Sequence, residues 1–312
     1  MIRLAWPSWW SDEAEASASA RAELRFVIAR RLGLDAIALV EEDAPRFVWN
    51  VASFKALSTT SESQRAAITS YGTSLATAIV GAVPGALGGQ DLDAGNMRAS
   101  MLAGRAFVGL QDVLSLCWGL GVPVIHLKVF PFKAKRMCAM AVRVRDRYSV
   151  LLAKESNFPG QIAYYIAHEL GHIALGHLAT NPAIVDLDDP LSLPLDTDRE
   201  EQDADRYALQ LLTGEPEPRI LTETRRFSAA SLARAVRDTG PQLHIEPGVL
   251  ALCFGHNTRR WDKVFAALKL IYPQRQPVSE YINRVAFSQL ALGALSEDGE
   301  EYLRAATGES EQ

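Results

Sequence analysis

The sequence predicts a mostly helical α+β fold, in which a small β-sheet or hairpin lies beside one motif-bearing helix and helical regions flank both. Three observations carry that expectation. Apolar residues recur at helical spacing over much of the chain. Between about residues 123 and 153 the period shortens towards two, as in strands. Finally, Ala167–His177 reads AHELGHIALGH and sets the pattern H-E-x-x-H in an otherwise apolar helix.

The bulk properties fit a globular protein. The chain has 312 residues, 48% of them hydrophobic and 22% charged, which excludes a disordered or membrane-embedded class. A net charge of −5 argues against nucleic-acid binding through the whole surface and leaves a local basic face open. Cys117, Cys138 and Cys253 are widely spaced with no C-x-x-C, as expected of buried free thiols in a reducing compartment. The N-terminus turns acidic before an apolar run of signal-peptide length develops. The longest apolar stretch, Leu75–Leu87, is interrupted by Gly81, Pro84 and Gly85 and is too short to span a bilayer. The expectation is a cytoplasmic protein with no membrane association.

Taken in order, residues 12–33 carry Ala14, Ala18, Leu24, Val27, Ile28 and Leu32 at helical spacing, and Gly33 follows as a C-cap. Ile28–Asp35 also looks like the first half of a helix-turn-helix, but the following Ala38–Trp49 is acidic where a recognition helix is basic. Residues 60–83 read as a second helix, and the Gly/Asp-rich segment 84–96 reads as a linker. One long helix is expected from Met97 to Leu120. Pro123–Val129 reads as a strand. Ala139–Val144 and Tyr148–Ala153 read as a hairpin around Arg145-Asp146-Arg147, with Val142 and Val144 on a core face and Arg143 and Arg145 on a wet one. Pro159 sits near the first turn of the motif helix. After His177, Pro182, Pro190 and Pro194 enforce a loop, and helix resumes over about Arg199–Leu212. The remainder predicts helices at 227–238, 258–272, 277–294 and 297–306. The expected organisation is an N-terminal helical region over 1–96, a catalytic unit over 97–215 and a C-terminal helical region over 216–312.

The chemistry concentrates in the motif. Residues four apart on a helix lie about 40° apart around its axis, so His168 and His172 can aim two imidazoles at one Zn²⁺. Glu169, about 100° from His168, reaches a water at that ion without being a ligand. Two histidines leave the ion short of a protein ligand. His177 lies about 180° from His168 around the helix and faces away unless the helix breaks at Gly176. A metzincin register would need Gly at 175 and His at 178, where this chain has Leu175 and Leu178, with its His one residue early at 177. The better third ligand is Glu201. Glu201 and Asp205 share a helical face, so Asp205 can accept a hydrogen bond from a metal-bound imidazole while Glu201 binds the ion. Glu200 and Asp203 are its rivals, because nine acidic residues fall between 186 and 205.

HELGHIALGH, followed about thirty residues later by EQDADRYALQLL, resembles the ImmA/IrrE family of zinc metallo-endopeptidases. That family's second helix commonly reads E-x-x-A-[ND]-x-[FY]-A, and Glu201, Ala204, Asp205, Tyr207 and Ala208 match it residue for residue. The upstream LCWGLGVPVIHLKVF is similar to the family's turn into its first strand. The resemblance covers about residues 97–215, and the Leu211–Pro216 end departs from the family's usual Leu-Met-Pro-like close. It implies a zincin-like, gluzincin-type core, Zn²⁺ as cofactor, and a protein substrate that is a helix-turn-helix transcriptional repressor. It also raises the standing of Ile28–Asp35 as a degenerate helix-turn-helix.

The expected reaction is metal-assisted peptide hydrolysis, with Glu169 as general base and Tyr164, one turn before His168, as an oxyanion donor. A strand of 123–154 would offer a sheet edge to an extended substrate. The acidic 186–205 segment, including Asp186, Asp188 and Asp189, would favour basic substrates or be a solvated loop. The competing class is a DNA-binding regulator with a structural or vestigial zinc site, using Lys133, Lys135, Arg136, Arg143, Arg145 and Arg147 as a basic ribbon.

Overall fold

A computed structural model describes residues 5–41, 44–49, 52–55, 61–84, 91–130, 137–187, 198–222 and 226–309. Helices α1 (Asp12–Ala16), α2 (Ala18–Leu32) and α3 (Ala36–Val40) lead to strand β1 (Ser53–Lys55) and the long helix α4 (Glu62–Gly81). Helices α5 (Ala94–Met101) and α6 (Leu110–Gly119) precede strand β2 (Val124–His126) and the hairpin of β3 (Ala139–Val144) and β4 (Arg147–Leu152). The motif helix α7 (Pro159–Ala174), strand β5 (Ala183–Asp186) and helix α8 (Arg199–Thr213) follow. The chain closes with α9 (Ala229–Thr239), α10 (Pro247–Thr258), α11 (Trp261–Ile271), α12 (Val278–Gln289) and α13 (Glu297–Thr307). The fold is α+β and mostly helical.

The strands form one mixed sheet in the order β1-β5-β3-β4-β2. Helices cover both faces. Ala139, Ala141, Val150, Leu152 and Ile184 pack with α6, α7, α8 and α10, while Met140, Val142, Leu151 and Val185 pack with α4, α12 and α13. Side chains alternate along a strand, so each of these short strands feeds two cores. This corrects the expected wet face of the hairpin: Ala139–Val142 is buried on both sides, and only the end at Arg143 and Val144 is half-exposed. The hairpin turn itself uses Arg145 in the left-handed region, at φ 60°. The two cores draw on residues from all three segments 1–96, 97–215 and 216–312.

Several elements differ from expectation for physical reasons. The single helix expected over 97–120 is two, α5 and α6, because the chain turns through Gly104 at φ 82° and restarts at Gly109. The helix expected over 12–33 is broken at Ser17, whose hydroxyl caps α2 by accepting from the Ala20 amide. Helix α10 was not anticipated, because Gly248–Gly255 is buried on every side and leaves no amphipathic stripe to read. Strands β1 and β5 are too short to show a period. Gly33 does form the turn between α2 and α3, at φ 66°, but α3 is the five residues AIALV and carries no cation. Residues 85–90 of the linker expected at 84–96, and Lys133, Lys135 and Arg136, lie outside the described residues, and the end of that linker already belongs to α5. Among the described residues, no helix is long and apolar enough to cross a membrane, and all three cysteines are buried and outside any disulfide.

Candidate metal centre

The site lies where α7, α8 and β5 meet. Helix α7 is buried from Gly160 to Ile173, including all of His168, Glu169 and His172. Helix α8 crosses it closely because the seam is made of small residues. A Cβ on Gly171 would meet the Ala204 backbone at 3.1 Å, and Ala204 and Ala208 are fully buried. That approach lowers Glu201, in the first turn of α8, onto the two histidines. Asp198 caps the helix by accepting from the Glu201 amide at 3.0 Å, which fixes that turn.

His168, His172, Asp186 and Glu201 each offer one donor atom, all within 4.8 Å of one another, and all four residues are buried. The Nε2 atoms of the histidines are 3.1 Å apart, and His172 Nε2 is 3.2 Å from Glu201 Oε1. His168 Nε2 lies 3.4 Å from Glu201 Oε2 and 3.6 Å from Asp186 Oδ2. Zinc bonds of about 2.0–2.2 Å set tetrahedral edges of about 3.3–3.6 Å, and the four separations above lie near that range, so the group could hold a metal ion. Glu201 is therefore the α8 acid in the cluster. Glu200 is half-buried on the helix surface, and Asp203 pairs with Arg199 and Arg206.

Asp186 is the residue that sequence reasoning missed. It is 1% exposed rather than part of a solvated acidic loop, because it ends β5 in phase with the core-facing Ile184. In Ala183-Ile-Val-Asp186 the strand alternation puts the acid on the α7 face, but four residues are too few for that alternation to be read from sequence. Asp188 and Asp189 lie outside the described residues.

Both imidazoles are held from behind. His168 Nδ1 stands 2.9 Å from Asp205 Oδ1, an ion-pair separation, while its Nε2 lies 3.1 Å from His172 Nε2 within the cluster. Tyr164, expected as an oxyanion donor, instead gives its hydroxyl to the same Asp205 oxygen at 2.5 Å. His177 also departs from expectation. The helix does end before it, Gly176 turns the chain at φ 74°, and a single 3₁₀ turn (His177–Ala179) brings His177 Nδ1 to 2.9 Å from His172 Nδ1. It supports a cluster residue from outside.

The electrostatics call for a cation. Glu169 is fully buried, and neither of its oxygens has a hydrogen-bond partner among the described residues. Burial and then the neighbouring Asp186 charge push its carboxyl well above the ordinary range. Burial, followed by the Glu201 charge, raises Asp186 to about 7. Burial would raise Glu201 too, but hydrogen bonds from His168 and His172 hold it well below the usual value. Burial opposes the charge on His168, yet Asp205, Glu201 and Asp186 together raise its pKa well above that of an ordinary imidazole. Burial lowers His172 to about 4. A proton on His168 thus balances part of the buried carboxylate charge, and a divalent cation could take the same place. Comparison with known proteins adds no name: no family, curated protein or solved structure matches this chain.

Proposed function

We propose that the chain is a zinc-dependent endopeptidase of the ImmA/IrrE kind, with a gluzincin-type site that hydrolyses a peptide bond in a protein substrate. The observation that carries this reading is Glu169. A structural zinc site needs ligands alone, and a buried carboxylate without partners beside them costs stability. Such a group is of use where a proton must be taken and returned.

His168, His172 and Glu201 would hold the ion. When bound, it supplies Lewis acidity, which acidifies a neighbouring water and polarises a scissile carbonyl. Glu169 accepts the proton of that water and passes it to the leaving amine. The charge of a bound ion would hold the Glu169 carboxyl ionised and ready for that proton, against the burial that otherwise favours its protonated form. Asp205 and Tyr164 behind His168, and His177 behind His172, keep both Nε2 atoms directed at one point.

Substrate pairing is best supported at β1. It is the outer strand next to β5, and its register sets Lys55 opposite Asp186. The other outer strand, β2, spends the amide and carbonyl of His126 on the Asn283 side chain. A helix-turn-helix repressor is the substrate class that the family resemblance favours. The DNA-binding alternative draws less support, since Arg143 and Arg147 direct their guanidinium groups to the carbonyls of Ala179 and Val83.

The test is Glu169→Gln in the full chain, assayed on a helix-turn-helix repressor encoded beside it. The variant should keep wild-type zinc content and lose cleavage by about a hundredfold or more, the size of a general-base contribution. Cleavage at the wild-type rate would refute the assignment.

A further inference from the structure

The expected ligand set of two histidines and Glu201 leaves one position of a tetrahedral ion for water. Asp186 is the remaining acid of the buried group. It is 1% exposed, and neither of its oxygens has a hydrogen-bond partner among the described residues. One of them lies 3.6 Å from His168 Nε2, and a donor atom of Asp186 lies within 4.8 Å of each of the other three donors. Its backbone is pinned from two sides. β5 pairs with β1 in parallel and with β3 in antiparallel, and the Asp186 carbonyl accepts from the Cys138 amide at 2.6 Å. A carboxylate held on a doubly paired strand cannot retreat to solvent by a small backbone adjustment. It needs a partner where it stands, and its nearest protons are those of His168 Nε2, at 3.6 Å, and of a protonated Glu169 carboxyl.

We propose that Asp186 is a fourth protein ligand, so that the resting ion is enclosed by two imidazoles and two carboxylates and the water position is filled. This rests on the metal reading of the site. A four-ligand shell is the closed form typical of structural zinc, whereas Glu169 beside it is the mark of a catalytic one. The two are reconciled if the Asp186 carboxylate exchanges for water when the enzyme acts. The protein is then latent until its fourth ligand is displaced, and Glu169 has no water to deprotonate before that. The rival role for Asp186 is to share a proton with Glu169 without touching the ion.

Cobalt(II) substituted into the chelator-treated full chain reports the shell directly, with azide as the probe of an open position. Wild-type protein should show a four-coordinate visible spectrum that azide leaves unchanged. Asp186→Ala should bind cobalt and zinc more than about tenfold more weakly, exceeding the low end of what outer-sphere changes cost, and its cobalt spectrum should shift on adding azide. Asp186→Asn, nearly equal in volume, should show the same affinity loss and so exclude a packing defect. Metal-free Asp186→Ala should melt no lower than metal-free wild type, because an unpartnered buried carboxylate has been removed. Wild-type cobalt affinity and spectrum in both variants, or azide binding equally well to wild type and Asp186→Ala, would overturn the fourth-ligand proposal and leave the metal site standing. Failure of the wild type to bind cobalt, or undiminished binding by His168→Ala, would overturn the metal reading and this proposal with it.

Discussion

The two faces of the sheet are built from the same five strands and serve opposite ends. On the α4 face, buried hydroxyls find partners: Ser70 donates to the Gly33 carbonyl, Tyr71 to Val129 and Tyr302 to Arg31. Around them Ile68, Leu75, Ile79, Met140 and Leu151 form a continuous apolar core. On the α7 face, a comparable apolar core surrounds His168, Glu169, His172, Asp186 and Glu201, and the oxygens of Glu169 and Asp186 have no hydrogen-bond partner among the described residues. The first face still leaves neutral groups such as Thr69 Oγ1 and Trp118 Nε1 without hydrogen-bond partners, whereas the second buries carboxylates. Dispersion and area burial explain the first. The second is a group that a metal ion could complete.

That contrast can be broken by substitution, and the largest effect should come from the ligands. His172→Ala should lower zinc affinity by more than about a hundredfold, beyond the range of changes outside the ligand shell, in a competition titration against a chromophoric chelator. Affinity within tenfold of wild type would mean that the α7 face is not a metal site. Next in size, Ile79→Ala on the α4 face should cost about 2–5 kcal/mol in urea unfolding of the metal-free chain, while zinc content is unchanged. A parallel loss of zinc would show that the two faces are not separable.

Two glycines sharpen the comparison. Gly171 faces the backbone of Ala204 across the α7–α8 seam, whereas Gly72 on α4 faces the flexible end of Met140, whose sulfur a Cβ would meet at 2.5 Å. Backbone cannot move aside as a thioether can. Gly171→Ala should therefore cost about 1–3 kcal/mol and weaken zinc binding by shifting Glu201, while Gly72→Ala should cost less and leave zinc affinity intact. Equal behaviour of the two variants would remove the argument that seam spacing sets the site. Asp205→Asn, which keeps the shape but loses the charge behind His168, should reduce zinc affinity by about ten- to a hundredfold.

The smallest expected effect is on pH dependence. In the metal-free protein, Asp205, Glu201 and Asp186 keep a proton on His168 to a pH well above that of a free imidazole. An ion must displace that proton, so zinc affinity should rise with pH while His168 remains protonated and fall on acidification, by about tenfold per unit for one proton. Affinity flat across neutral pH would contradict the raised His168 value.

The sequence carried the parts of this site that a helix makes periodic. His168, Glu169 and His172 follow from the four-residue repeat, and Glu201, Ala204 and Ala208 follow from the same repeat on the partner helix. Parts that depend on strands of three or four residues were not legible, because such strands hold too few alternations to separate from a loop. Asp186 was lost that way, in a run of acids where only its tertiary placement distinguishes it. His177 was lost for a different reason: its contact with His172 depends on a left-handed turn at Gly176, which helical phase alone does not include. Helix α10 and the doubly buried hairpin escaped because burial on all sides erases the polar face that makes amphipathic elements readable.

The central claim is that the α7 face is completed by one metal ion, and the most direct measurement is zinc per chain by inductively coupled plasma mass spectrometry after dialysis against trace zinc. The account predicts a single equivalent in the wild-type protein and none retained by His168→Ala. A wild-type chain that leaves dialysis without zinc, or a His168→Ala chain that keeps the full equivalent, would contradict it.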